Sequence, residues 1–113
     1  MQLLVLVLNK LEVLDELLTQ MASAGISGAT ILNSTGMATT LVHHTEEDVP
    51  LFGILRKMLN PDREESKTIF TVLKEEQFET AKEIINRVTG GLSKPNTGIV
   101  FTLPINSVEG LVK

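Results

Sequence analysis

The segment Leu3-Leu4-Val5-Leu6-Val7-Leu8 is an unbroken aliphatic run that stops abruptly at Asn9-Lys10. It is too short to span a bilayer, which takes an apolar helix of about 20 residues. It also lacks the basic leader and small-residue cleavage site of a secretory signal. Its length and its polar borders favour a buried strand, expected over residues 2–8. Side chains alternate across a strand. Leu3, Val5 and Val7 therefore face one way and Leu4, Leu6 and Leu8 the other. A sheet wetted on one side alternates apolar with polar residues, and this strand does not. Whatever this chain folds into must cover both faces of that strand.

The rest of the chain supplies elements in a regular order. Asn9 reads as a helix N-cap, with Glu12 completing an approximate capping box. Leu14, Leu17, Leu18, Met21 and Ala22 then share one face of a helix over residues 10–24, stopped by Gly25. Residues 29–33 read as a second strand. The stretch Ser34 to Thr40 is small and polar, and Leu41-Val42 reads as a brief strand extension. Pro50 suits the first turn of a short helix carrying Leu51, Phe52, Leu55, Met58 and Leu59, ended by Asn60-Pro61. Residues 66–73 form a third strand, and residues 75–88 a helix with Phe78, Ala81, Ile84, Ile85 and Val88 on one face. Gly90-Gly91 ends it, and residues 99–103 make a fourth strand before Pro104.

This order, β-α-β-insert-β-α-β, predicts an α+β, ferredoxin-like βαββαβ domain over residues 1–113. It has a four-stranded antiparallel sheet and a long insert, residues 36–65, between strands two and three. Two helices can cover one sheet face. The strands leave the other apolar, which a soluble monomer rarely tolerates. A second copy covering it predicts a closed homo-oligomer. The competing reading folds the insert back over that face.

Composition narrows the function. Hydrophobic residues make up 42% but aromatic residues only 4%, with no Trp and no Tyr. That excludes general disorder and argues against nucleic-acid binding, which uses aromatic stacking platforms. The net charge of −4 also opposes phosphate-backbone binding. Without cysteine, thiol catalysis, disulfides and cysteine-ligated metal sites are excluded. These features predict a soluble cytoplasmic protein without stable membrane insertion. No nucleophile–base signature or phosphate loop appears, so a binding protein is expected rather than an enzyme.

Three stretches resemble the P-II nitrogen regulatory family and its P-II-like relatives. Gly28-Ala29-Thr30 through Thr35-Gly36-Met37 resembles the strand entering that family's regulatory T-loop. Lys67 opens strand three where the family has a lysine. Asn96-Thr97-Gly98-Ile99-Val100-Phe101-Thr102-Leu103-Pro104-Ile105 resembles its Gly-Asp-Gly-Lys-Ile-Phe strand. The resemblance implies a homotrimeric signalling protein. A small-molecule effector, an adenine nucleotide or related small ligand, would bind in clefts between subunits. The 36–65 insert would carry the signal to a protein target. The cleft residues implied are Thr35, Gly36, Met37, Ala38, Lys67, Lys94, Thr97 and Gly98. The chain departs from the family at Ile99, which replaces the phosphate-facing lysine, and at its tail, which lacks the family's arginines. It also lacks the family's modifiable tyrosine.

Each candidate has a plainer reading beside it. The Ser34–Thr39 stretch could wrap a ligand or act as a hinge. Lys94 could reach the cleft or be a solvated loop lysine. His43-His44, followed by Glu46, Glu47 and Asp48, has metal-ligand chemistry, but adjacent histidines on a strand point apart, which favours solvated surface residues. The helix over residues 50–60, with Arg56 and Lys57 beside its apolar face, suits a partner-docking surface or packing onto its own oligomer. Two other classes stay open: an ACT-like ligand-binding or interaction domain, and a relative of the trimeric divalent-cation tolerance family.

Overall fold

The computed structural model describes residues 1–44 and 65–111. The expected insert helix over residues 50–60, and with it Glu46, Glu47 and Asp48, lies outside the described residues.

Four strands, β1 (Gln2–Leu8), β2 (Ala29–Ser34), β3 (Ser66–Leu73) and β4 (Gly98–Pro104), form one sheet in the order β2-β3-β1-β4. Every neighbouring pair is antiparallel. Helix α1 (Leu14–Ser23) follows a 3-10 turn (Leu11–Val13), α2 (Met37–His44) follows β2, and α3 (Glu75–Thr89) joins β3 to β4. The protein is thus α+β, as the sequence predicts, with the uninterrupted aliphatic strand β1 in the interior of the sheet.

The alternation of β1 sets the layers. Leu4, Leu6 and Leu8 are fully buried with Ile69 and Leu73 of β3, under Leu17 and Met21 of α1 and Ala81, Ile84 and Ile85 of α3. Both of these helices therefore cover the same sheet face. The opposite face carries Leu3, Val5 and Val7, with Phe70 and Phe101 directly across from Val5 on its two sides. Val5 is only 5% exposed, yet it is not part of the helix-covered core. At the β4 edge of that face, Ile99 is 58%, Phe101 45% and Leu103 49% exposed.

Three local expectations need correction. Asn9 does not cap α1. Its backbone N–H and that of Lys10 both donate to the Thr97 carbonyl, at 2.9 and 3.2 Å, so the chain is held against the 91–98 loop and enters α1 through the 3-10 turn. The small residues after β2 do not continue as hinge and strand: Met37–His44 is helical. Gly36 provides its start, where the Thr40 N–H and hydroxyl both donate to the Gly36 carbonyl, at 3.0 and 2.9 Å. His43 and His44 accordingly belong to a helix backbone, which removes the strand argument made for them. Helix α3 ends as expected, at Gly90 in the left-handed conformation with φ +82°.

Candidate functional site

The sheet has two ends. At one lie the close of β1, the end of β2, the start of β3 and the start of β4, and therefore all the sequence-predicted cleft residues. They divide between opposite edges. Thr35, Gly36, Met37 and Ala38 follow β2 on one edge, and Lys94, Thr97 and Gly98 precede or open β4 on the other. With β3 and β1 between them, the two edges are separated by three strand spacings, about 14 Å. One chain does not bring these two groups together.

On the β2 side, Met37 is 80% exposed, Thr35 and Gly36 are exposed, and Ala38 is half-buried. These residues start α2, so unpaired first-turn N–H groups and an apolar thioether sit side by side there. Lys67 opens β3 opposite Asn33, and its Nζ donates to Asn33 Oδ1. That bond crosses between the two strands from which the insert departs.

A polar cluster that the sequence reading missed lies at the same root. Ser34 Oγ and Ser66 Oγ are 2.7 Å apart, and Thr68 Oγ1 donates to Ser34 Oγ at 2.9 Å. Ser66 is buried and the other two are half-buried. The three residues interrupt otherwise aliphatic strands at their insert ends, a signal available in the sequence. They clasp the two strands where residues 35–65 leave the sheet.

On the β4 side the residues have structural work. Thr97 is buried, its hydroxyl donating to the Pro95 carbonyl at 3.3 Å and its own carbonyl taken by Asn9 and Lys10. Gly98 has φ +154°, and a Cβ there would lie 2.6 Å from the Val7 carbonyl oxygen. Only glycine lets β4 approach β1 this closely. Lys10 Nζ donates to the Thr89 carbonyl at 3.1 Å. Lys94 Nζ lies 3.5 Å from where a Gly90 side chain would begin. Two cations thus gather at the carboxyl end of α3, where the helix dipole is negative. Ile99 is 58% exposed and lies on the other sheet face, across from Val7.

Chemically, this end of the molecule offers hydroxyls, backbone amides, lysines and apolar surface, a composition for binding. Among the described residues, no group of three or more His, Asp or Glu side chains is placed to hold a metal ion. No described helix is long and apolar enough to cross a membrane. No protein-family model matches the chain, and no curated protein matches it.

Proposed function

We propose that this protein is a P-II-like, small-molecule-sensing regulator that works as a homotrimer of ferredoxin-like protomers. The strand order β2-β3-β1-β4, with both core helices on one sheet face, supports the ferredoxin-like reading. The observation that carries the functional reading is the split of the cleft residues between opposite edges of one sheet end. A neighbouring copy would bring Lys94, Thr97 and Gly98 to the Thr35–Ala38 segment of the first, completing a site that neither chain holds alone.

In this reading the open apolar face forms the subunit interface. The ligand, an adenine nucleotide or related small molecule, bridges the two loops. One insert conformation binds it better, and the ligand shifts the population toward that conformation. The hydroxyl clasp transmits the shift, because it joins the insert's two roots to the sheet. Residues 36–65 then meet a protein target.

Native mass spectrometry tests the assembly: the expected species has three times the 12.4 kDa chain mass, and a stable monomer at micromolar concentration overturns the reading. A thermal-shift series with adenine nucleotides, cyclic dinucleotides, amino acids and divalent metals tests the ligand, since a molecule that binds only the native state raises Tm. Stabilisation by metal alone moves the assignment to the cation-tolerance class, and stabilisation by amino acids alone to the ACT-like class.

A further inference from the structure

The sheet is open at both edges, with β2 forming one and β4 the other. An edge strand presents a row of backbone N–H and C=O groups with no strand beside them. Among the described residues, no backbone hydrogen bond from a loop or helix covers either row. Thr30, Ile31 and Leu32 are exposed on β2, as are Ile99, Phe101 and Leu103 on β4.

Proteins commonly protect such edges with charged side chains, proline or a bulge. Neither edge here carries that protection. The six residues of β2 and the seven of β4 include no Asp, Glu, Lys or Arg, and proline occurs only as the last residue of β4. The pairing registers of both strands run without a break. Two uncharged strands of nearly equal length are therefore left ready to pair.

Strand direction and charge select the occupant. Three antiparallel steps separate β2 from β4, so the two run in opposite directions. A second copy related by an axis along the strands keeps its orientation, and its β4 lies antiparallel beside β2. Without stagger, Leu32 meets Ile99 of that copy and Thr30 meets its Phe101, because each of these pairs shares a row across the sheet. The insert ends of the two copies then stand side by side. Glu65 lies there one residue before β3, and Lys94 four residues before β4. Both are exposed, and among the described residues neither makes an ion pair. Contact between opposite edges brings these opposite charges to one end. Pairing β2 with β2 of another copy leaves Lys94 outside the contact.

We propose that a second copy of this chain pairs the outer edge of its β4 antiparallel with the outer edge of β2, its Lys94 facing Glu65 of the first. The contact deepens, and rests on, the reading in which a neighbouring copy completes the cleft. It names the backbone edges and the ion pair that join the copies.

A sequence without cysteine makes cross-linking a direct test. Leu32 and Ile99 of one chain are three strand spacings apart, about 14 Å, beyond the reach of a disulfide. Mild oxidation of full-length Leu32→Cys/Ile99→Cys at low micromolar concentration is expected to give covalent dimers and larger species on non-reducing gels, while each single variant stays uncross-linked. Leu32→Cys/Phe101→Cys covers a two-residue slip in register. No cross-link in either double variant overturns the proposal. So does a cross-linked dimer of Leu32→Cys alone, which puts β2 against β2. In sedimentation velocity, Lys94→Glu and Glu65→Lys are each expected to weaken association about tenfold, and together to restore it to within about threefold of the parent. Unchanged association in the single variants, or no restoration in the double, also overturns the proposal. A trimer by native mass spectrometry without these cross-links removes the edge contact and leaves the regulatory reading standing. A cross-linked assembly whose Tm no small molecule raises keeps the edge contact and removes the regulatory reading.

Discussion

Gly98 illustrates how one residue serves the fold while sitting in a motif that suggests ligand binding. With φ +154° and the Val7 carbonyl 2.6 Å from any added Cβ, it has no room for a side chain. Gly98→Ala is expected to destabilise the protein by roughly 1–3 kcal/mol, because β4 must move away from β1 or adopt strained backbone. Urea denaturation of the two proteins checks this. The hydroxyl clasp makes a second residue-scale prediction. Ser34→Ala and Ser66→Ala each remove one member of a bonded trio. Each is expected to cost about 1 kcal/mol, with the double variant losing less than the sum, as a double-mutant cycle would read. The motif residues were legible in the sequence, but their tasks were not. Nothing in Asn96-Thr97-Gly98 says that the Thr97 carbonyl receives two amides from residues 9 and 10, because that bond joins segments far apart in the chain.

Among the elements, the strands and long helices were readable because burial imposes their periods on the sequence. Strand β1 lies over Gln2–Leu8 and β3 over Ser66–Leu73, as the aliphatic runs predict. Helix α3 extends one residue beyond its expected end, to Thr89, before Gly90 stops it. Helix α2 was not readable. Five of its eight residues, Thr39, Thr40, Val42, His43 and His44, are types with weak helix preference, and Ser34 to Gly36 ahead of it is rich in small polar residues. Its start is secured instead by Thr40, bonded twice to the Gly36 carbonyl. Helix α3 is the element on which the core leans most. Ile85 is fully buried in the cluster with Leu4, Leu6 and Leu8. Ile85→Ala is expected to lower stability by about 2–5 kcal/mol, measured by thermal and chemical denaturation. A cavity beneath α3 also loosens its grip on β3. Amide exchange at Ile69 and Leu73 is therefore expected to accelerate.

At the scale of the whole molecule, the unresolved balance in the first strand becomes a question of assembly. One face of β1 is covered by α1 and α3, while the other presents Val5 between Phe70 and Phe101, with three exposed apolar side chains along β4. In the trimeric reading that face is shielded by neighbouring copies. Phe101→Asp places a charge at its 45%-exposed rim, opposite Val5. The expected result is dissociation to monomer with the helix-side core retained. Sedimentation velocity together with circular dichroism distinguishes this from unfolding. A Phe101→Asp protein that keeps the assembly state of the parent removes the sheet face from the interface.

The sequence by itself determined the α+β class, the number of strands and their succession along the chain, and the two helices that bury Leu4, Leu6 and Leu8, because each follows from local periodicity and end signals. It also marked the residues at both halves of the proposed cleft. Only the tertiary structure decided where those halves stand. Antiparallel pairing put β3 and β1 between β2 and β4, so residues joined in one functional expectation lie on opposite edges of the sheet. Strand order and hydrogen-bond partnership depend on contacts between residues distant in the chain, and local pattern carries no record of them.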